Sequence, residues 1–342
     1  MNLTPYIEDI ERRLDEKQEQ AIYDAWMDFA YGRNTDAPFT PPVRKYSQSK
    51  LEWKHVNVND SLDDTDLMIL SQLERCHVAM TTPSDMQMIM RANFGVGNIA
   101  SMFGAKPFVM PYEMDTLPNV YPIGEDAVRR FIEGDGPTLA DGNCPKIFEV
   151  GERLAEIREK YPNIKRFVRI DHPDCQGPMD NCELLWGSDV FYALYDEPDD
   201  IHALLRRITD TMKAVLDKWY SIIPIPDGMT SYFGRLAPGG IVVRDDSAMN
   251  LSPDFFDEFI APYDGELLKY YGGGIVHFCG RGAHFVDRLA KIPCLNGVDL
   301  SQPHLNDMDA VFAAIPDRGI NLYTAKGSYS LDGHKGSRVM QY

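Results

Sequence analysis

The sequence lacks the features that mark membrane, secreted and disulfide-bonded proteins. Its 342 residues contain no long uninterrupted apolar run, and a membrane-spanning helix needs about 20 such residues. The N-terminal residues are charged and amphipathic, without the apolar centre of a signal peptide. The six cysteines form no Cys-x-x-Cys pair, which predicts reduced thiols in a cytoplasmic protein.

Positive charge is also scarce. The chain has 34 lysines and arginines against 52 aspartates and glutamates, for a net charge of −18. Such a surface repels nucleic acid and anionic lipid, so neither is expected as a partner, and a small-molecule substrate is expected instead. No Gly-x-Ser-x-Gly, Walker A or His-Glu-x-x-His motif is present, which disfavours serine hydrolases, P-loop enzymes and zincins.

What the chain does contain is an alternation of apolar strands and amphipathic helices after an N-terminal segment of different character. The clearest predicted helix is 198–221, whose apolar residues recur at helical spacing. Alternating strands and helices over the last 100 residues predict an α/β fold with a parallel sheet, either a (β/α)8 TIM barrel or a doubly wound sheet. Length and repeat size favour the barrel. We expect a helical extension over 1–60 and the barrel over 61–342.

The predicted elements are as follows. Helices are expected at 62–75, 125–133, 146–160, 183–194, 198–221, 252–269, 282–291 and 306–315, and strands at 165–170, 241–244, 274–278, 296–300 and 320–324.

The sharpest local feature is His277-Phe-Cys279 at the end of a predicted strand. Residues two apart on a strand point to the same face, so the imidazole and the thiol project together into the mouth of the sheet. A His-x-Cys pair suits zinc, which takes nitrogen and sulfur ligands. The alternative is that both side chains simply pack at the strand end.

A metal site needs a further ligand. Asp299 ends the next predicted strand, and a barrel would bring its carboxylate near His277 and Cys279. Cys294 is expected at the opposite rim, and His334 and Cys175 are more remote alternatives.

Other polar residues follow predicted strands or flank a glycine loop. Asp171 and His172 suit general acid–base work, and Arg244 with Asp245 and Asp246 could orient a substrate or a metal-bound group. Of these, we expect Asp171, His172 and Asp245 to be catalytic. Both groups could equally be structural turns and ion pairs.

The glycine loop Gly95-Val-Gly97-Asn-Ile-Ala100 matches a dinucleotide fingerprint, but no convincing strand precedes it, so a loop lining a cleft is favoured. Around it, Asp85, Arg91, Asn93 and Tyr112 could converge on a substrate, with Arg91 pairing to a carboxylate or phosphate.

These residues carry a resemblance to the uroporphyrinogen decarboxylase superfamily. It rests on the segment from Asp245 to Tyr263, on His277-Phe-Cys279-Gly280 and on Gly297-Val-Asp299, and it extends over roughly 80–327. The Arg-Gln-Ala-Gly-Arg pattern of true tetrapyrrole decarboxylases is missing near the N-terminus. The sequence therefore resembles more closely the zinc- and cobamide-dependent methyltransferase branch.

The resemblance implies a barrel with its active site at the carboxyl end of the strands. It implies zinc on His277 and Cys279, with Asp299 in the position of an acidic ligand, and a pocket that includes Arg235. It also implies a corrinoid supplied by a partner protein as methyl donor or acceptor. A later cysteine ligand of the family is missing. A metal-free decarboxylase and a non-catalytic ligand-binding barrel stay open as alternatives. The N-terminal 60 residues could cap the barrel, cover its mouth or form a homodimer interface.

Overall fold

A computed structural model describes residues 1–342. None of its helices combines the length and the apolar composition that crossing a membrane requires. The helices are α1 Thr4–Arg13, α2 Glu16–Ala30, α3 Val58–Ser61, α4 Thr65–Thr81, α5 Asn98–Met102, α6 Glu125–Glu133, α7 Cys144–Lys160, α8 Pro162–Phe167, α9 Pro178–Trp186, α10 Val190–Asp196, α11 Pro198–Ile222, α12 Pro253–Phe255, α13 Ala261–Tyr270, α14 Val286–Leu289 and α15 Met308–Ala314.

The strands form one large parallel sheet and several pairs. They are β1 Met88–Met90, β2 Lys106–Phe108, β3 Asn119–Tyr121, β4 Val168–Ile170, β5 Met229–Tyr232, β6 Arg235–Pro238, β7 Ile241–Arg244, β8 Gly274–Phe278, β9 Leu295–Leu300, β10 Asn321–Thr324 and β11 Val339–Gln341.

The main sheet has five parallel strands in the order β11-β10-β9-β8-β7. A second parallel pair joins β1 to β4, while β2–β3 and β5–β6 are antiparallel. The predicted α/β class with parallel strands is confirmed. The assigned ladders form separate groups, so they do not themselves trace a closed ring of eight strands.

The strands of the main sheet are covered on both faces, by helices such as α13 on one side and by the hairpin β5–β6 on the other, and their residues are therefore mostly buried. Every residue of β7, β8 and β10 is buried. A strand covered on both faces reads as a continuous run of Val, Ile and Phe rather than an alternating one. This is why the predicted strands 241–244 and 274–278 agree with the structure.

The N-terminal helices pack firmly against the rest of the chain. Trp26 and Phe29 of α2 are fully buried and lie in one aromatic cluster with Phe39 and Tyr323. Tyr323 belongs to β10, so this cluster ties α2 to the main sheet. The division into an extension and a barrel stays a prediction.

Two predicted helices are interrupted in the structure. The predicted helix 183–194 is divided between α9 and α10, with Gly187 between them at a φ of 87°. A Cβ is strained at such an angle, which suits glycine. The predicted helix 252–269 contains a π-helical turn over Phe256–Ile260, which sequence periodicity does not reveal.

The largest feature missing from the sequence prediction is the hairpin β5–β6. Its two-residue turn, Phe233-Gly234, has φ values of 50° and 82°. Positive φ at both central residues is typical of the tight turns that join antiparallel strands. A two-residue loop ending in glycine between apolar runs is the signal that could have predicted it.

Candidate metal centre

Three ligand-type side chains meet at the carboxyl end of β7 and β8. His277 Nε2 lies 3.3 Å from Cys279 Sγ and 3.6 Å from Asp246 Oδ1. One ligand atom from each residue lies within 4.8 Å of the others. His277 is buried, whereas Asp246 is 45% exposed, so the group is open to solvent on one side. Tetrahedral zinc holds its nitrogen and sulfur ligands about 3.5 Å from each other, and this spacing fits.

Asp299 lies on the other side of the His277 ring. Its Oδ1 is 2.7 Å from Nδ1, and because a carboxylate only accepts, Nδ1 carries the proton. Asp299 Oδ2 pairs with Arg235 at 3.0 Å, and both side chains are buried. The geometry favours Asp299 as the residue that orients His277, as carboxylates do behind metal-bound histidines. Asp246, which follows β7 rather than β9, supplies the carboxylate beside Nε2 that was expected from Asp299.

The charge state of His277 follows from these neighbours. Burial lowers its pKa, but the hydrogen bonds to Asp299 and Cys279 and the charges of Asp299 and Asp246 outweigh it and raise the pKa to about 9. Asp299, Asp246 and Cys279, which favour the protonated form of the imidazole, therefore make a site that attracts a cation.

Asp246 is held by a buried carboxyl group on α9. Asp180 accepts from the backbone N–H of Asp246 at 3.0 Å and from that of Ser247 at 2.8 Å, and also from the Ser247 hydroxyl. Cys279 N–H donates to Asp246 Oδ1 at 2.7 Å. Asp180 thus sets the turn after β7, and with it the place of the third ligand-type group.

Removing this support should weaken metal binding without removing a ligand. We expect Asp180→Ala to lower zinc affinity about 10- to 100-fold, the usual effect of losing a group that positions a ligand. Competition with a chromophoric chelator measures the affinity. Asp196→Ala is the control, because Asp196 is exposed and makes no side-chain hydrogen bond. Equal affinities in the two variants would contradict the role of Asp180.

Asp245, predicted as catalytic, faces away from this group. It is buried beside Asp264 of α13. Burial and the neighbouring Asp264 raise the pKa of Asp245 well above its usual range, and burial raises that of Asp264. Two buried carboxyl groups in contact cannot both ionise, so the pair shares a proton.

Asp171 and His172, also predicted as catalytic, follow β4. His172 Nε2 accepts from Val242 N–H at 2.9 Å, and Nδ1 donates to the Pro173 carbonyl at 2.7 Å. Burial lowers the pKa of His172 to about 4. Neither ring nitrogen is free, so these contacts favour a structural role. Asp171 accepts from the Ser231 hydroxyl at 2.5 Å, and burial raises its pKa.

The predicted substrate-binding residues are divided by the structure. Arg91 and Arg244 both lie near Tyr232 and Phe233 of the hairpin, and Arg244 is paired with Asp174. Asn93 accepts from Arg91 Nε at 2.9 Å. Tyr112 is on the surface, 53% exposed, where its hydroxyl donates to Asp60. The structure does not bring Tyr112 to the other predicted residues, which are Arg91, Asn93, Arg235 and Arg244.

The more remote ligand candidates do not join the metal centre. His334 Nδ1 is 2.8 Å from Asp317, Cys175 is buried and Cys294 is exposed. The group that can hold an ion consists of Asp246, His277 and Cys279. Asp246 was singled out by the sequence only as one of two adjacent carboxylates.

Space for a ligand lies next to Asp246. A cavity of about 370 Å³ is lined by this residue and by Asp180, Glu183, Gln176 and Asn250, among others. A second cavity of about 630 Å³ is lined by Arg75, Asn93, His55, Glu74 and Asp115, among others.

His55 connects two segments at the edge of the larger cavity. Its Nδ1 is 2.9 Å from Glu74 of α4, and its Nε2 is 2.7 Å from Asp115. These hydrogen bonds raise the pKa of His55 above 6.5. A raised folded-state pKa means that the stabilisation is fully present below pH 6.5 and is lost as the pH rises through the folded value.

We therefore expect the segment around Asp115 to be better protected in the wild type than in His55→Gln at pH 6, and equally protected in both at high pH. Hydrogen exchange of peptides from 106–121, compared between the two proteins at each pH, measures this. A wild-type advantage that persists unchanged to high pH would contradict the role of His55 charge.

Comparison with known proteins finds similarity at the level of three-dimensional structure and none at the level of sequence. No protein-family model matches the chain, and no curated protein sequence matches it. A solved methyltransferase from Methanosarcina mazei is similar, with a TM-score of 0.62 at 15% sequence identity. The two chains share a fold. The likeness covers 91% of this chain and 85% of that one, so it extends over most of both chains. The resemblance to the uroporphyrinogen decarboxylase superfamily stays a prediction.

Proposed function

We propose that this protein is a zinc-dependent, methyltransferase-like enzyme that moves a methyl group between a corrinoid and a thiol or small methylated substrate. The observation that carries the proposal is the group of Asp246, His277 and Cys279 at the carboxyl end of the parallel sheet. The methyltransferase from Methanosarcina mazei, which has the same fold, supports the reaction class.

The proposal includes the closed (β/α)8 barrel. The register places Arg244, His277 and Asp299 side by side on adjacent strands and aligns Asp299 with Tyr323. Four strand ends thus meet at one edge, which is where barrel enzymes carry their active sites. In this proposal the pair β1–β4 belongs to the same barrel, and 1–60 form the N-terminal extension.

The donor set fits zinc. Imidazole nitrogen, thiolate sulfur and carboxylate oxygen are its three protein ligand types, and three protein ligands with one open position are typical of catalytic zinc. Zinc held by His277 Nε2, Cys279 Sγ and Asp246 would favour the thiolate form of a substrate thiol.

The remaining residues prepare this site. Asp299 holds the proton on His277 Nδ1 and so leaves Nε2 to face Cys279. Tyr232 packs on the imidazole with ring centroids 4.8 Å apart and excludes water from that side. The cavity beside Asp246 leaves room for a small substrate.

In the proposed reaction a sulfur–carbon bond forms as the cobalt–carbon bond breaks. The electron pair of the broken bond stays on cobalt, and the thiol proton is released. The corrinoid protein as partner, a homodimer and a cytoplasmic location accompany this proposal as predictions.

The proposal is tested by methyl transfer from methylcobalamin to a small thiol such as 2-mercaptoethanol. Protein purified without oxygen should contain about one zinc per chain and release cob(I)alamin. Treatment with a chelator should abolish the reaction, and added zinc should restore it. Protein that is free of metal and yet decarboxylates a polycarboxylate would instead support the decarboxylase alternative and overturn the proposal.

A further inference from the structure

The hairpin β5–β6 packs against one face of the main sheet and against β4. Arg169 donates to the Met229 carbonyl at 2.6 Å, Tyr323 to that of Leu236, and Asn296 to that of Pro238 at 2.9 Å. The strand residues of the hairpin are almost entirely buried. The tip is therefore held in place next to the metal centre, because Tyr232 touches His277.

Phe233 at this tip adopts an unusual conformation. Its φ of 50° is rare for a residue with a large side chain. Its ring is 39% exposed rather than packed in the core. The two-residue hairpin turn requires this positive φ, and a large aromatic residue is uncommon at such a position.

Three guanidinium groups surround the Phe233 ring. The central carbons of Arg75, Arg91 and Arg235 lie 6.0, 5.5 and 5.9 Å from its centroid. Arg235 is neutralised by Asp299. Arg75 and Arg91 have no carboxylate within salt-bridge distance, unlike the nearby Arg235 and Arg244.

An unpaired arginine in this environment is unfavourable. Arg91 is only 8% exposed, and its one side-chain hydrogen bond uses Nε, which donates to Asn93. The charge of Asp171 acts on Arg91, but Asp171 is hydrogen-bonded to Ser231 and forms no salt bridge with Arg91. A buried charge without a partner destabilises the folded protein unless a ligand neutralises it. The terminal amino groups of Arg91 are thus available for a bidentate contact with an anion.

The second arginine opens towards a cavity large enough for a ligand. Arg75 and Asn93 are in the wall of the 630 Å³ cavity. Arg75 makes no side-chain hydrogen bond that would occupy its guanidinium. Arg75 is exposed to solvent, whereas Arg91 is buried. In a chain with a net charge of −18, these two arginines without a salt bridge are a local concentration of positive charge.

We propose that Arg75, Arg91 and Asn93 form a binding site for the anionic group of a small-molecule ligand, a carboxylate, sulfonate or phosphate. Arg75 and Asn93 line the 630 Å³ cavity. Arg91 and Phe233 line a small cavity of about 20 Å³, and the hydrogen bond from Arg91 to Asn93 connects the two. The ring centroids of Phe233 and Tyr232 are 4.6 Å apart, and those of Tyr232 and His277 are 4.8 Å apart. The site is thereby linked to the metal centre through two aromatic rings. In terms of the proposed function, which this inference extends, the ligand is the methyl donor or acceptor.

The test is direct binding of simple anions to the purified protein by isothermal titration calorimetry. Acetate, methanesulfonate and phosphate are compared, so that the three headgroup chemistries are distinguished. Methanesulfonate is a poor zinc ligand, and its binding reports on the arginines. We expect one of the three to bind to the wild type, and Arg75→Ala and Arg91→Ala each to weaken its binding about tenfold or more, because each removes a charge-assisted hydrogen bond.

The control variant is Arg153→Ala, which removes the same charge from an exposed position on α7 and should bind anions as the wild type does. Arg91→Lys guards against misfolding at the buried position and should retain part of the affinity. The proposal is overturned when none of the anions binds, or when Arg75→Ala binds them as tightly as Arg153→Ala. Zinc content, measured in the same samples, tests the metal centre separately, because Arg75→Ala should leave it unchanged.

Discussion

Replacing His277 with alanine and Cys279 with serine in one protein is expected to reduce bound zinc from about one ion per chain to background. The two side chains supply two of the three ligand-type atoms at the site. Asp246 alone, 45% exposed and in contact with water, cannot retain the ion at low concentration. Mass spectrometry of metal content after exhaustive dialysis measures the loss, and methyl transfer should fall with it.

The chain offers a matched control for this variant. His304 and Cys294 are both exposed and stand outside the metal centre, so His304→Ala with Cys294→Ser removes the same two residue types. This control should retain zinc at the wild-type level. If both double variants lose metal equally, adventitious surface binding explains the zinc. Retention of zinc in the His277/Cys279 variant would contradict the proposed site outright.

The part of this centre that the sequence predicts is the part encoded within single strands. His277 and Cys279 are two residues apart at the end of β8, and that spacing alone orients both side chains to one face. Asp299 follows from the same logic one strand later, since parallel strands end at a common edge. Asp299 Oδ1 is indeed 2.7 Å from His277, but it contacts Nδ1, whereas Cys279 and Asp246 lie beside Nε2.

The remaining parts depend on contacts between distant segments. Asp245 and Asp246 are adjacent, and which of them faces the metal centre is decided by Asp180 on α9, through its bonds to the following turn. Arg75 is an ordinary helix residue in sequence, and its importance comes from the neighbouring Arg91 and Phe233. Local periodicity carries no information on such pairings.

The same distinction applies to the fold. Helix α11 was predicted nearly residue for residue, because its apolar spacing is regular and Pro198 fits its first turn. Helix α8 is missing from the prediction, and the predicted strand 165–170 is wrong over 165–167, because this six-residue helix leads directly into β4 with no intervening turn. The position of a short element depends on its packing against distant residues, whereas the position of a long periodic helix can be predicted from its own residues.

Replacing Glu19 with alanine is expected to lower the free energy of unfolding by about 3–5 kcal/mol. Glu19 of α2 forms a bidentate ion pair with Arg44 at 2.7 and 2.8 Å, and the two side chains are 3% and 1% exposed. The substitution leaves the Arg44 charge buried, with only backbone carbonyls such as that of Met86, 3.0 Å away, as partners. Urea unfolding followed by circular dichroism measures the change.

Two further variants separate the ion pair from general damage to α2. Glu16→Ala on the same helix removes a carboxylate that is 63% exposed and 3.6 Å from Arg166, and it should change stability by less than about 1 kcal/mol. Glu19→Leu with Arg44→Met removes both buried charges and should recover much of the loss, because two apolar side chains need no partner. Equal stability of Glu19→Ala and Glu16→Ala would show that the buried pair between α2 and Arg44 contributes little to the stability of the fold. A large loss confined to Glu19→Ala would mean that the first 60 residues, whatever their contribution to the active site, are part of the cooperative fold that supports it.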